Sequence, residues 1–573
     1  MHAAPASAVV ARLRGILTGA ALFLAAAAFT LWQSARVAVL WDLSYLLDSA
    51  WRFSLGQLPY RDLPFAHAPL TFLLHVAIIR LFGRIYYPHI VCAALEAGTA
   101  TLLTWRILLR LLAPLAERTW RIATLLASAL VPLGIYSIYP HPIYDSDCIL
   151  AALIALYLAQ YTQGDGVERS STALNLLAGA ASVVPLFFKQ NIGLPFLVAM
   201  LLAVAALAVA RRTQRASVIP QLCFFAGAFV SLLAAALILH TTVGLGNYRY
   251  WTLTFAASRR LPGLGAILSI YNQPSLLWSV PAAFVGAFLL RHEATRRKFW
   301  PCAAAFALLA APFLWTIVAL ALITDPDDRA GQLLSLWPHL LVLAGVLALA
   351  NLRPSLWKTA PSFNALLPFV LLAAICGTFL SQQLWGSTYA LWPLLILLIG
   401  LLLVEVPAIA QPLALIVTAT FLLCGGLYAA SLERLDYIHL DGPETHATLP
   451  PLRGLTTPGP WIPQFEELVR FANTEIPVND GILLLPGEDP FYFATGRTPQ
   501  FPVLLFDLAT DPYTPQQTLD QERARNIRWL IVKRNLQLTA PPEYETSELL
   551  RLLQQDFVPY RTLTGYDIYR RRD

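Results

Sequence analysis

Thirteen stretches of this chain are each apolar over roughly the length needed to cross a hydrocarbon layer, and a soluble core cannot absorb that many. They fall at 15–32, 87–112, 119–137, 147–163, 172–188, 191–210, 218–240, 275–291, 300–323, 333–351, 363–380, 385–404 and 411–430. The sequence therefore predicts a polytopic helical membrane protein. Composition agrees: of 573 residues, 57% are hydrophobic and only 13% charged, and the mean hydropathy is +0.59. The formal charge of +6 comes from basic residues lying between apolar runs, where they orient spans, so no nucleic-acid partner is expected. Cys92, Cys148, Cys223, Cys302, Cys376 and Cys424 show neither Cys-x-x-Cys nor Cys/His spacing. They read as packing residues.

A further apolar run, PLTFLLHVAIIRLFGR (Pro69–Arg84), decides the orientation. If it spans, the loops holding Arg211, Arg212 and Arg215 and Arg291, Arg296, Arg297 and Lys298 lie outside. If it lies along the surface, both fall inside with Arg106, Arg110, Arg118, Arg121, Arg353 and Lys358, as the positive-inside rule requires. The run is also short and carries His75 and Arg80, which suits an interfacial helix. Arg12 and Arg14 before the first run, with no convincing cleavage site after it, predict an uncleaved first helix.

With this orientation the unusual polar residues gather on the outer face. They lie in the first loop (35–86), in YPHPIYDSD (139–147), FKQNIG (188–193), the long loop 241–273, TDPDDRAGQ (324–332) and SQQLWGSTY (381–389). A transmembrane unit over 1–430 and an outer α/β unit over 431–573 are expected. In the tail, GILLLP, PVLLFDL and IRWLIVKRN read as strands, and FEELVRFANTEI and SELLRLLQQDF as amphipathic helices.

The first loop, WDLSYLLDSAWRFSLGQLPYRDLPFAHAPL (41–70), is dense in ionisable groups beside a membrane span. Its acid after the first helix, then G-x-x-P-Y-x-D and a Pro-Leu, are held here by Asp42, Gly56, Pro59, Tyr60, Asp62, Pro69 and Leu70. This spacing resembles the first outer loop of the GT-C glycosyltransferases, closest to the bacterial protein mannosyltransferase-like, Rgt-type and aminoarabinose-transferase-like branch. The resemblance implies a GT-C-like membrane domain, a polyprenyl-phosphate-linked sugar as donor, and a lipid, glycan or protein acceptor. It further implies single displacement with inversion, in a bacterial inner membrane with the site on the periplasmic side. Two departures stand out: Leu43 replaces a second acid found in many relatives, and Ala66-His67 replaces the Glu-Lys of the aminoarabinose branch.

In such an enzyme the lipid phosphate is already a leaving group, so the protein must deprotonate a hydroxyl, align it and stabilise the departing phosphate. The resemblance makes Asp42 the base and gives Asp145 or Asp147 a role with base or acceptor. Lys189, Arg260, Arg259, Arg249, His67, Tyr60, Gln382 and Tyr389, with Gln383 beside them, become candidates for the phosphate or substrate. Each acid has a competing reading as a helix cap. Lys189 is expensive in an apolar run unless paired, and surface arginines often bind headgroups. Asp48 and Arg52, four apart, read as an i,i+4 pair, and Asp62 as a turn residue. No nucleotide or cofactor motif is present, and a divalent metal stays open. The rival readings are a lipid or polysaccharide transporter or flippase, and a non-catalytic GT-C-like subunit. No internal repeat is seen of the kind transporters usually carry.

Overall fold

The computed structural model describes residues 6–36, 40–137, 140–164, 171–291, 297–324, 332–352, 362–380, 390–430, 442–507, 510–534, 536 and 543–572. The first helices are α1 (Ala6–Arg36), α2 (Leu40–Ser54), α3 (Leu70–Phe82), α4 (Tyr86–Leu111), α5 (Thr119–Ser128) and α6 (Tyr144–Gln163). Next come α7 (Thr172–Phe188), α8 (Gln190–Thr213) and α9 (Ile219–Thr242), then the short α10 (Leu245–Arg249), α11 (Ala256–Arg260) and α12 (Leu264–Leu268). The bundle closes with α13 (Leu276–Arg291), α14 (Phe299–Leu322), α15 (Trp337–Asn351), α16 (Phe363–Thr378), α17 (Trp392–Val404) and α18 (Ala410–Ala430).

Among the described residues six helices are long and apolar enough to span a membrane, or seven if the pair bent by 58° at 264–271 and 276–291 counts as one span. This is an integral membrane protein. Helices of 10–17 residues over Thr172–Phe188, Trp337–Asn351, Phe363–Thr378 and Trp392–Val404 fall on other expected spans, so thirteen remains an expectation. The run at 119–137 differs: it is helical only to Ser128 and then breaks into turns. Pro132 accounts for this, because its ring disfavours α geometry at Val131 and offers no N–H. At 13 residues α3 is about 20 Å long, short of a ~30 Å hydrocarbon layer.

The C-terminal part is a small sheet domain. After β1 (Glu444–His446) and β2 (Thr456–Pro458) come α19 (Trp461–Glu475), β3 (Gly481–Leu485), α20 (Phe491–Thr495), α21 (Pro515–Ala524) and β4 (Ile527–Lys533). Then α22 (Glu543–Leu553), β5 (Phe557–Thr562) and β6 (Tyr566–Arg571) complete it. The main sheet runs β3-β4-β6-β5, with β3 parallel to β4 and the other pairs antiparallel. The expected strands at GILLLP and IRWLIVKRN form, and so do both amphipathic helices. PVLLFDL does not: Val503 and Leu505 are buried against the sheet, yet the segment is an irregular crossing, fixed by Phe506 N–H donating to Pro486 O at 2.9 Å. The β5–β6 hairpin was not expected.

This domain is fastened along one face of α2. Trp41 Nε1 donates to Asp507 (3.2 Å), Ser44 Oγ to Gly487 O (2.8 Å) and Trp51 Nε1 to Arg497 O (2.9 Å). Asp48 accepts the Tyr492 and Phe493 N–H groups at 3.2 and 2.7 Å, capping α20, and Arg52 Nη1 donates to Pro502 O at 2.9 Å. Asp48 and Arg52 thus each serve the C-terminal domain, and no ion pair between them is found among the described residues. Burial holds the Asp48 carboxyl well above its ordinary value, opposed by the Phe493 and Tyr492 N–H groups. The other face of α2, with Leu43, Leu47 and Ala50 at most 1% exposed, packs on Phe65 and Phe72 of the first loop. Burying such leucines contributes about 1.5–3 kcal/mol each. The helix bearing Asp42 is consequently held from both sides.

Candidate active site

The first loop arrives at the site through two turns. Gly56, at φ +94°, ends α2 in a conformation that glycine adopts without strain. Tyr60 follows at φ +67°, unusual for a bulky residue. Its buried ring packs on Phe65 and Tyr248, and its hydroxyl donates to His67 O at 2.6 Å, which over-determines the strained turn. Asp62 accepts the Leu58 N–H at 2.8 Å and pairs with Arg61, a turn residue as its sequence context suggests. Tyr60 therefore shapes the loop and presents His67.

His67 lies 6% exposed among Tyr45, Phe65, Phe72 and Tyr144. Its Nε2 is 2.9 Å from Arg260 Nη1 and its Nδ1 is 3.3 Å from the Tyr45 hydroxyl. A guanidinium can only donate, so Nε2 must be the bare acceptor and Nδ1–H donates to Tyr45. The neutral ring this requires is favoured by burial, then by the nearby Arg260 and Lys189 charges, which hold its pKa well below the ordinary histidine value. Arg260 Nε is buried and has no partner among the described residues. A bound anion is the kind of group that would satisfy it. The neighbouring candidates point away: Arg249 and Arg259 are exposed, and Arg259 rests against its own Phe255 ring at 5.6 Å.

Opposite this pair, α7 and α8 meet at Lys189, a single extended residue at φ −149°. Pro185 leads into the break, and Gly193 lets the chain fold back, because a Cβ there would lie 2.2 Å from Leu186 N. Lys189 pairs with Asp145, their side chains being 10% and 5% exposed, and lies 5.1 Å from the centre of the Tyr144 ring. That ring is also 4.9 Å from His67. Gln190 Nε2 then donates to Ala66 O (3.0 Å) and Thr252 O (3.2 Å), tying α8 to the first loop and to the π-helical turn 250–255 before Arg260.

Asp42, in the first turn of α2, is partly exposed and has Asp145, Arg260 and Lys189 among its charged neighbours. Its carboxyl is pushed up to about 7, first by loss of water around it and next by the Asp145 charge. Arg260 pulls it back, Asp507 raises it further and Lys189 lowers it. A partly exposed carboxyl poised near neutrality, within reach of the Arg260 and Lys189 charges, is suited to accept a proton.

Asp147 goes elsewhere. Two residues on from Asp145 along α6, it is turned through about 200°. It accepts from the Thr71 hydroxyl at 2.6 Å and lies 3.4 Å from the Tyr136 hydroxyl, whose one hydrogen goes to Glu96. The structure thus brings together Asp42, Asp145, Lys189, His67 and Arg260, with Tyr60 as support, and separates Asp147, Arg249 and Arg259 from them. Gln382, Gln383 and Tyr389 lie outside the described residues. Sequence reasoning missed Tyr45, Tyr144, Gln190 and Asp507. Of these only Tyr144 and Gln190 carried a signal, as polar neighbours of Asp145 and Lys189 within runs already singled out. Among the described residues no three His, Cys, Asp or Glu side chains converge to hold a metal ion.

No family model matches this chain, and no curated protein matches it. Over 99% of its length it is similar to the crystal structure of ArnT from Cupriavidus metallidurans bound to undecaprenyl phosphate, at 14% identity and TM-score 0.43, with 98% of that chain covered. Over 97% of its length it is similar to the archaeal oligosaccharyltransferase AglB from Archaeoglobus fulgidus in complex with an inhibitory peptide and a dolichol-phosphate, at 11% identity and TM-score 0.47, with 74% of that chain covered.

Proposed function

We propose that this chain is an integral-membrane, inverting glycosyltransferase that moves a sugar from a polyprenyl-phosphate donor to a hydroxyl of a lipid, glycan or protein acceptor. The observation that carries this reading is Asp42, a partly open carboxyl held near pKa 7 with Arg260 and Lys189 among its charged neighbours. In the reaction the acceptor hydroxyl gives its proton to the Asp42 carboxylate as its oxygen bonds to the anomeric carbon. The bond from that carbon to the phosphate oxygen breaks with its electron pair, and the lipid phosphate departs. Arg260, held by His67 and with its Nε free, receives the phosphate charge. Lys189 pairs with Asp145, whose charge raises Asp42 as a base. Asp42, Asp145, Lys189, His67 and Arg260 are the proposed working set.

The remaining expectations enter on the same footing: thirteen spans, a boundary between 430 and 431, basic loops inside, and the site and C-terminal domain on the periplasmic side of a bacterial inner membrane. The first-loop motif supports the donor class, and the clamp of the C-terminal domain on α2 supports a site shared by both parts. Asp42→Asn tests the reading. It keeps shape and capping ability but cannot take the proton, so turnover should fall about 10²- to 10⁴-fold with donor binding retained. Lipid-linked sugars supplied as a panel to proteoliposomes give the measurement. Near-wild-type consumption by the variant would remove Asp42 as base, and consumption by neither protein would favour a transporter.

A further inference from the structure

A cavity of about 490 Å³ opens between α13, α14 and α15, lined among others by Gln273, Trp278, Ser279, Trp315, Gln332 and His339. Gln273 and Trp278 follow directly on the loop that carries Arg260, so the cavity lies toward the same end of the bundle as the Asp42 site. Ser279 and His339 are 2% and 4% exposed, yet Ser279 Oγ and His339 Nδ1 have no partner among the described residues. Buried polar atoms left open in this way are costly unless something enters to meet them. Among the described residues that line the cavity there is no Asp, Glu, Lys or Arg, so this lining offers a phosphate, carboxylate or ammonium group no counter-charge.

The remaining chemistry is two indole rings, 40% and 54% exposed, beside hydroxyl, amide and imidazole groups. Indole faces suit the apolar face of a pyranose ring, while the neutral donors and acceptors suit its hydroxyl edge. An acyl chain would cover the indoles but leave Ser279 and His339 unmet. We propose that this cavity binds a neutral sugar ring, at a site separate from Asp42 and independent of whether Asp42 is a base. The ring belongs either to a soluble glycan or to the headgroup of a membrane glycolipid.

The test uses the full chain in phospholipid nanodiscs and saturation-transfer NMR with methyl glycosides of glucose, galactose and mannose, their octyl counterparts, glucose 6-phosphate and octylphosphocholine. Ring-proton transfer is expected from at least one methyl glycoside, and glucose 6-phosphate should not displace it. Tighter binding of the octyl glycoside by tenfold or more would assign a glycolipid, and equal binding a soluble glycan. The double variant Ser279→Ala with His339→Phe should weaken binding at least tenfold, and so should Trp315→Leu, whose half-exposed side chain makes a folding defect easy to avoid. The proposal is overturned if no neutral glycoside gives transfer, if octylphosphocholine competes through its chain, or if both sets of variants bind as the parent does.

Discussion

Asp145 and Asp147 share one helical turn yet occupy opposite environments. Asp145 faces a cation, an aromatic ring and the partly open Asp42 group. Asp147 faces a sealed set of hydroxyls and one further carboxyl: Thr71, Tyr136 and Glu96. Around the first, Lys189 supplies a cation in direct contact; around the second, the partners among the described residues are hydroxyls and a further carboxyl, with no cation among them. Two acids two positions apart thus have different partner sets, and the proposed function assigns a role to Asp145 and none to Asp147 on that ground.

The largest effect is expected at Lys189. Replacing it with Ala leaves Asp145 buried without its cation, and such a loss typically costs about 3–5 kcal/mol. Thermal unfolding of the purified protein should show it as a drop of many degrees, together with loss of donor turnover. A stable Lys189→Ala variant would mean that the pair is not what holds the α7–α8 turn. Next comes the His67–Arg260 pair. Arg260→Ala should raise the donor KM by about ten- to a hundred-fold, the equivalent of about 1.5–3 kcal/mol for a charge-assisted contact. His67→Phe should raise it by less, because the guanidinium stays but loses the acceptor that orients it. If KM is unchanged while kcat falls in both, Arg260 acts on the chemical step and not on donor binding. The smallest effect is expected at Asp147→Asn, where an amide oxygen still accepts from Thr71. Turnover should stay within a few-fold of the parent, and a hundred-fold loss would return Asp147 to the machinery.

Much of this was legible in the sequence, for identifiable reasons. The first loop is local, so Gly56, Tyr60, Asp62 and His67 could be read together from consecutive positions. Lys189 announced itself because an ammonium in an apolar run must find a partner. The choice between Asp145 and Asp147 was not legible, because a helix apolar on every face gives no apolar stripe by which to orient either acid. The i,i+4 reading of Asp48 and Arg52 failed because their partners lie about 450 residues away, on Phe493 and Pro502. Asp507 was hidden for the same reason, within a segment whose apolar alternation imitates a strand but packs as an irregular crossing.

The central claim is that Asp42 takes the proton, and the pH dependence of turnover tests it most directly. Its carboxyl is pushed up to about 7 and is useful only when ionised. Activity should therefore rise with pH through about 7, falling roughly tenfold per unit on the acid side, while donor binding stays flat. A profile level between pH 5 and 8, or an acid limb near the ordinary aspartate value, would contradict the account.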